Sequence, residues 1–240
     1  MVAMNKIPAI VMTYDRNRVF TNHMIVRYRK IWSDHPFRFH IPYQSLRGKN
    51  SEYQKFVKTS KDIKQTVLTL LEEFDDEEWI YWCIDDKYPI SLNIAVYQQT
   101  IDSLTNSFID GILLCRCRRL IESKNVISGD NTLNTIPIVE RRNWHQIWIH
   151  QFIRVKVLRH LFHGFDKPIA YAKQMDEMKW SVPKLPEHKL FVSQENFSQF
   201  GESTVGGLLT QNCMESLRLE NLDIPREYGI HEANIIMGEL

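Results

Sequence analysis

Apolar residues fall into short unbroken runs early in the chain, separated by segments whose apolar positions recur every three or four residues. Ile7–Met12 is the first run. It ends in the polar stretch Thr13–Asn17 and reads as a buried strand followed by a loop, with Pro8 confined to the strand's start or edge. Met24, Tyr28 and Ile31 then share one helical face, and Phe37–Ile41 alternates as a second strand that Pro42 should stop. Ser60 offers a helix N-cap with Asp62 in the first turn, and Ile63, Val67, Leu70, Leu71 and Phe74 follow at helical spacing. The acidic segment Glu72–Glu78 contains a turn. Trp79–Ile84 is continuous, aromatic and β-branched, as a central strand covered on both faces should be, and it stops at Asp85-Asp86. Leu92–Leu104 predicts another helix and Asp110–Cys115 another strand.

Strands alternating with helices over the first 115 residues predict an α/β fold with a mostly parallel central sheet flanked by helices. Ser123–Asn143 has no regular period and reads as an excursion beside the site. A long helix is expected over Trp144–Phe162, with Trp148, Phe152, Val155 and Leu158 as its buried stripe. Lys189–Ser193 reads as a short strand, a last helix should follow Gly206-Gly207 up to about Glu220, and Pro225 should end regular structure. No linker-like segment interrupts the 240 residues, so one domain is expected, with residues 1–115 as one half and 116–240 as the other.

Composition narrows the function. Thirty basic against twenty-nine acidic residues give a net charge of +1, which disfavours a dedicated nucleic-acid binder. No apolar run approaches the ~20 residues of a membrane helix, and the N-terminus lacks a signal-peptide layout, so a cytoplasmic protein is expected. Cys83 and Cys115 lie in apolar runs and read as buried free thiols. The sequence contains no Gly-x-Gly-x-x-Gly, no P-loop, no Gly-x-Ser-x-Gly and no His-Glu-x-x-His, which disfavours standard dinucleotide, NTPase, α/β-hydrolase and zinc-protease chemistry.

What remains is a carboxylate pair, Asp85-Asp86, where a buried strand ends. Ligands of open α/β sheets bind at the carboxyl ends of the strands. Adjacent carboxylates there are either an acidic turn or the seat of a hard cation that clamps a diphosphate. Thr13-Tyr14-Asp15-Arg16 ends the first strand at the same edge; its ring, carboxylate and guanidinium suit a base, a ribose hydroxyl and a phosphate. Gly201–Asn212 places small and hydroxyl residues before a helix, where a phosphate can sit, and Glu202 is placed to act as a general base.

Through Ile7–Arg16, Ser60–Pro89, Trp144–Phe162 and, more loosely, Gly201–Asn212, the chain resembles glycosyltransferases of the GT-A fold, in particular the small glycosyltransferase domains of chlorella viruses and some bacteria. The resemblance implies a single GT-A-like domain that moves a sugar from a nucleotide-diphosphate-sugar, with UDP the expected carrier, to a hydroxyl of a glycan or glycoprotein. It implies Mn²⁺ or Mg²⁺ on Asp86, with Asp85 beside the sugar or ribose. The family's metal motif carries a further carboxylate where this chain has Ile84. Thr13, Tyr14, Asp15, Arg16, Lys58 and Asp62 would hold the nucleotide. Tyr88, His145, Gln146, His150, Gln151 and Thr204 would face the acceptor and sugar, and Glu202 would take the acceptor's proton. Two other readings stay open: a sugar nucleotidyltransferase, and a non-catalytic nucleotide- or glycan-binding protein with a decayed site.

Overall fold

The computed structural model describes residues 6–117 and 121–238. Strand β1 (Ile7–Met12) leads through a single 3-10 turn at Asp15–Asn17 into helix α1 (Arg18–Ile31), then β2 (Phe37–Tyr43), β3 (Gln54–Lys58), α2 (Ile63–Leu71) and β4 (Trp79–Ile84). β1 and β4 are apolar at every position because both of their faces are covered. Ala9, Val11, Tyr81 and Cys83 belong to the core beneath α1, and Ile10, Ile80, Trp82 and Ile84 to the core beneath α2, as the period of two in a strand requires. β2 runs one residue beyond Pro42. β1 pairs with it only as far as His40, so the N–H that proline lacks is not needed on that side. The N-cap of α2 is Asp62 rather than Ser60: the Asp62 carboxylate accepts from the Gln65 N–H at 2.8 Å.

The remaining elements are β5 (Lys87–Leu92), α3 (Ile94–Leu104), β6 (Gly111–Leu113), β7 (Val126–Leu133), β8 (Ile136–Arg141), β9 (Gln151–Arg154), α4 (Val155–His163), α5 (Ala172–Met178), β10 (Leu190–Ser193), β11 (Ser198–Glu202), β12 (Thr204–Val205), β13 (Leu208–Thr210), α6 (Gln211–Leu219), β14 (Ile230–His231) and β15 (Ile236–Met237). The central sheet has nine strands in the order β3-β2-β1-β4-β9-β6-β10-β8-β7, and only β9 and β8 run against the rest. The fold is therefore the expected α/β arrangement of a mostly parallel sheet between helices. The chain builds outward from β1 to β2 and β3, then returns to place β4 on the other side of β1. That reversal leaves a crevice at the carboxyl ends of β1 and β4. Among the described residues, no helix is long and apolar enough to cross a membrane.

Three further expectations are corrected, and one strand had no counterpart in the sequence pattern. The stretch 144–162 is not one helix: Trp144–His150 forms turns, Gln146 takes a left-handed φ of 59°, and β9 fills the gap between β4 and β6 before α4 begins. Both of its neighbours bond to its backbone, and that tertiary pairing overrides the apolar spacing that reads as helical. Ser123–Asn143 is largely the β7–β8 hairpin, hidden by a register shift between Ile127 and Asn131 and turning at Asn134, φ 52°. The chain after Asp86 enters β5, which pairs antiparallel with β11. Regular structure also continues past Pro225, because β14 pairs with β13 and β15 with β11.

Candidate ligand site at the strand switch point

The carboxyl ends of β1 and β4 are tied together by the Asp85 N–H donating to the Met12 carbonyl at 3.3 Å. Behind them runs a buried polar chain. His150 Nε2 lies 2.9 Å from the Ile84 carbonyl, its Nδ1 lies 2.7 Å from the Tyr28 hydroxyl, and that hydroxyl lies 2.9 Å from the Tyr81 hydroxyl. Burial pushes the His150 pKa down to about 3, so the ring is neutral. A carbonyl can only accept, so Nε2 carries the proton, Nδ1 accepts from Tyr28, and Tyr28 accepts from Tyr81. The last residue of β4 is thereby fixed before the chain turns at Asp85-Asp86.

In front of that turn lies a cavity of about 130 Å³. Its lining includes Thr13, Tyr14, Asn17, Gln44, Lys61, Thr66, Asp85, Asp86, Ala172 and Thr204. Asp85 is 4% exposed and its Oδ2 has no hydrogen-bond partner. Burial, reinforced by the charge of Asp86, pushes its carboxyl up to about 7, against the pull of Thr13, Asn17 and Lys87. Tyr14 is 40% exposed at the rim, and its phenol is pushed up by burial and then by the charge of Asp85. Tyr14, Asp85 and Lys61 thus border one space.

Asp86 is engaged differently. The Lys87 ammonium lies 2.9 Å from Asp86 Oδ1 and 2.8 Å from Glu202 Oε1. The β5–β11 register sets Lys87 directly opposite Glu202, and the Ser203 N–H donates to the Asp86 carbonyl at 2.6 Å. Burial disfavours the Lys87 ammonium, but the charges of Asp86 and Glu202 outweigh it and hold the pKa above that of a free lysine. β11 can lie this close because residue 201 is glycine: a Cβ there would meet the Tyr88 ring at 2.2 Å.

The residues around the turn do not suit the divalent ion that the resemblance implies. Among the described residues, no three His, Cys, Asp or Glu side chains converge on a point that could hold a metal. An ion on Asp86 would share that carboxylate with an ammonium. A double charge about 4 Å from a single one costs on the order of 8 kcal/mol at an effective dielectric of about 20. The residues present do not fit an ion at Asp86.

Thr13, Tyr14, Asp85, Asp86 and Thr204 therefore come together at one cavity. Arg16 does not line it; its guanidinium lies 5.3 Å from the Tyr228 ring centre, while the Tyr228 hydroxyl donates to Asn17 Oδ1 at 3.2 Å. Asp15 turns away from it: the carboxylate accepts from the backbone of Gln44, Ser45 and Leu46 and from the Ser45 hydroxyl, so it clamps the loop after β2. Lys58 donates to the Gln44 carbonyl, and Asp62 caps α2 and accepts from the Ile169 N–H. Neither lines the cavity.

The acceptor candidates are mostly internal. Tyr88 is 2% exposed and its hydroxyl accepts from Asn212 at 2.9 Å. His150 and Gln151 are 1% exposed; Gln151 accepts from Arg141 at 2.7 Å and donates to the Ile147 and Ile149 carbonyls. His145 and Gln146 lie in the half-buried loop that Arg141 holds through the His145 carbonyl at 2.6 Å. Sequence reasoning missed Asn17, Gln44, Lys61, Thr66, Ala172, Lys87 and Tyr228. Lys61 was open to discovery as a lysine just before a helix at the right sheet edge; the others depend on contacts between distant segments.

No protein-family model and no curated protein matches the chain. Among solved structures it is similar to the galactosyltransferase LgtC in complex with donor and acceptor sugar analogs, at 12% identity and a TM-score of 0.41 over 76% of this chain and 68% of that one. It is also similar to the 2-C-methyl-D-erythritol 4-phosphate cytidylyltransferase of Thermus thermophilus, at 8% identity and 0.48 over 90% and 100% of the two chains. The Francisella tularensis enzyme of that name stands at 10% identity and 0.44, over 90% and 99%. At such identities and scores these likenesses carry no chemistry to this chain.

Proposed function

We propose that this protein is a glycosyltransferase that moves a hexosyl group from a nucleotide-diphosphate-sugar, with UDP as carrier, to a hydroxyl of a glycan. The observation that carries the reading is Asp85, a buried carboxylate whose Oδ2 lacks a hydrogen-bond partner, in the lining of the cavity at the β1–β4 switch point. Such an atom selects a ligand that brings hydrogen-bond donors, and the vicinal hydroxyls of a ribose supply them. Tyr14 offers a stacking face, and Lys61 on the cavity lining provides positive charge for a diphosphate. Thr204 lines the same cavity, and Glu202 precedes it by two residues with only Oε1 engaged by Lys87, leaving the other oxygen to take a proton from an acceptor hydroxyl.

A non-catalytic nucleotide- or glycan-binding protein is the second reading. The observation favouring it is that Lys87 neutralises both Asp86 and Glu202. A sugar nucleotidyltransferase is less favoured, since Thr13–Asn17 contains none of the glycines of a phosphate-wrapping loop. The experiment is a thermal-shift screen of nucleotide-sugars, followed by an assay for nucleotide release with glycan acceptors. A ligand at a hundred times its Kd adds ~2.7 kcal/mol, about 5–10 °C for a chain of this size. A shift with turnover supports the transferase, a shift without turnover supports a nucleotide-binding protein, and no shift with any nucleotide-sugar contradicts both of these and leaves only the glycan-binding form of the second reading.

A further inference from the structure

We infer that Lys87 is the resident cation of this site, and that ligand binding at the Asp85–Asp86 turn needs no divalent ion. The nucleotide part of this inference rests on the function proposed above; the part concerning the ion does not. The Lys87 side chain is 8% exposed, and its Nζ sits between Asp86 Oδ1 and Glu202 Oε1 at 2.9 and 2.8 Å. It is not a mobile surface lysine that has drifted onto an acidic turn. The β5–β11 register faces it to Glu202, and the Ser203–Asp86 backbone bond closes the other side, so all three side chains are placed by paired backbone.

The position is the one an ion would need. A hard divalent cation takes six or more oxygens and needs carboxylates to compete for it. Here two of the three carboxylates near the turn already share an ammonium. Only Asp85 is not in contact with that ammonium, and a single carboxylate is a poor site for such an ion. Lys87 instead offsets the charge of Asp86 and Glu202 from within the chain, and Lys61 on the cavity wall carries positive charge toward an anionic ligand.

Removing the lysine charge should therefore create a metal site. In Lys87→Met the stem volume is kept, while Asp86 and Glu202 lose their shared counter-charge beside Asp85. Those oxygens are then free for an ion.

The test is titration of Mn²⁺ into the full chain, followed by the resonance of the free ion, and titration of UDP with either EDTA or Mn²⁺ present. Wild type should show no saturable Mn²⁺ site up to about 1 mM, and Lys87→Met should gain one at least about tenfold tighter. UDP should bind wild type equally in EDTA and in Mn²⁺. A saturable wild-type Mn²⁺ site that disappears in Asp86→Asn would overturn the inference, as would UDP binding that appears only when Mn²⁺ is added. If UDP binds under neither condition, the nucleotide reading fails, and the Mn²⁺ titrations still decide the role of Lys87. If Lys87→Met does not fold, the wild-type and Asp86→Asn titrations decide it.

Discussion

Lys87 and Glu202 stand 115 residues apart in sequence and 2.8 Å apart in space, opposite each other on β5 and β11. That pairing joins the turn after β4 to the C-terminal third of the chain. Most of what distinguishes this site follows from it.

The close approach of the two strands depends on Gly201. Gly201→Ala would bring a Cβ to 2.2 Å from the Tyr88 ring, which is buried and hydrogen-bonded to Asn212. Overpacking of this kind costs about 1–3 kcal/mol. Urea denaturation should show that loss, and a variant as stable as wild type would mean that the Tyr88 ring yields freely.

Asp15 should matter to stability and not to the ligand. Burial works against its carboxylate, but hydrogen bonds from Leu46, Ser45 and Gln44 outweigh it and hold the pKa at about 2, against 3.8 for the free group. A depressed carboxylate stabilises the fold above its unfolded pKa, and that contribution is lost as pH falls from about 3.8 through 2. With allowance for solvent screening, Asp15→Asn should cost about 1–2 kcal/mol at pH 7 and at pH 5, with the gap closing toward pH 3. Equal stability of the two proteins at pH 7 would contradict the clamp.

Asp85 should behave in the opposite sense. Its pKa is raised from 3.8 to about 7 by burial and by Asp86. A raised carboxylate costs stability above its unfolded pKa, and the cost grows until pH passes the folded value. Asp85→Asn removes the charge and keeps the shape, so it should stabilise the fold by about 1–3 kcal/mol at pH 8 and by less at pH 5. Denaturation at the two pH values checks this. A loss of stability at pH 8 would mean that the carboxylate is satisfied by partners inside the protein.

Buried histidines set the acid limit. Burial pushes His23 and His35 down to about 4 and His150 to about 3, each from 6.5. The folded state keeps them neutral while the unfolded chain protonates, so their stabilising contribution is complete above pH 6.5 and is lost as pH falls toward 4. Stability should decline steadily across that window. In His150→Phe the decline should be shallower and start from a value about 2–4 kcal/mol lower, because the Ile84 carbonyl and the Tyr28 hydroxyl lose their partner. A variant with the wild-type slope would remove His150 from the acid response.

The half of the fold that carries the cavity was legible because its strands are buried on both faces. β1 and β4 announce themselves as unbroken apolar runs, and α2 by its stripe from Ile63 to Leu71. The later strands were not, since their pattern is imposed by neighbours. β9 has only four residues and takes its backbone bonds from β4 and β6, while β5 begins in an acidic turn and contains Pro89. The site divides in the same way. Thr13, Tyr14, Asp85 and Asp86 follow directly from two strand ends, and the sequence places them at one edge. Whether a carboxylate there is free or engaged depends on distant partners: the 44–46 backbone for Asp15, and Glu202 with Lys87 for Asp86. A resemblance in spacing alone could not tell Asp85, with a buried oxygen lacking a partner, from Asp86, which shares a lysine.

The central claim is that the cavity at Asp85 receives a nucleotide. Calorimetric titration of a UDP-hexose into wild type and into Asp85→Asn tests it most directly, because the substitution preserves the cavity's shape. The account predicts saturable binding to wild type and a loss of at least about tenfold in Asp85→Asn, equivalent to the ~1.4 kcal/mol or more of a hydrogen bond to a charged acceptor. Equal binding by the two proteins would place the nucleotide away from Asp85 and contradict the account.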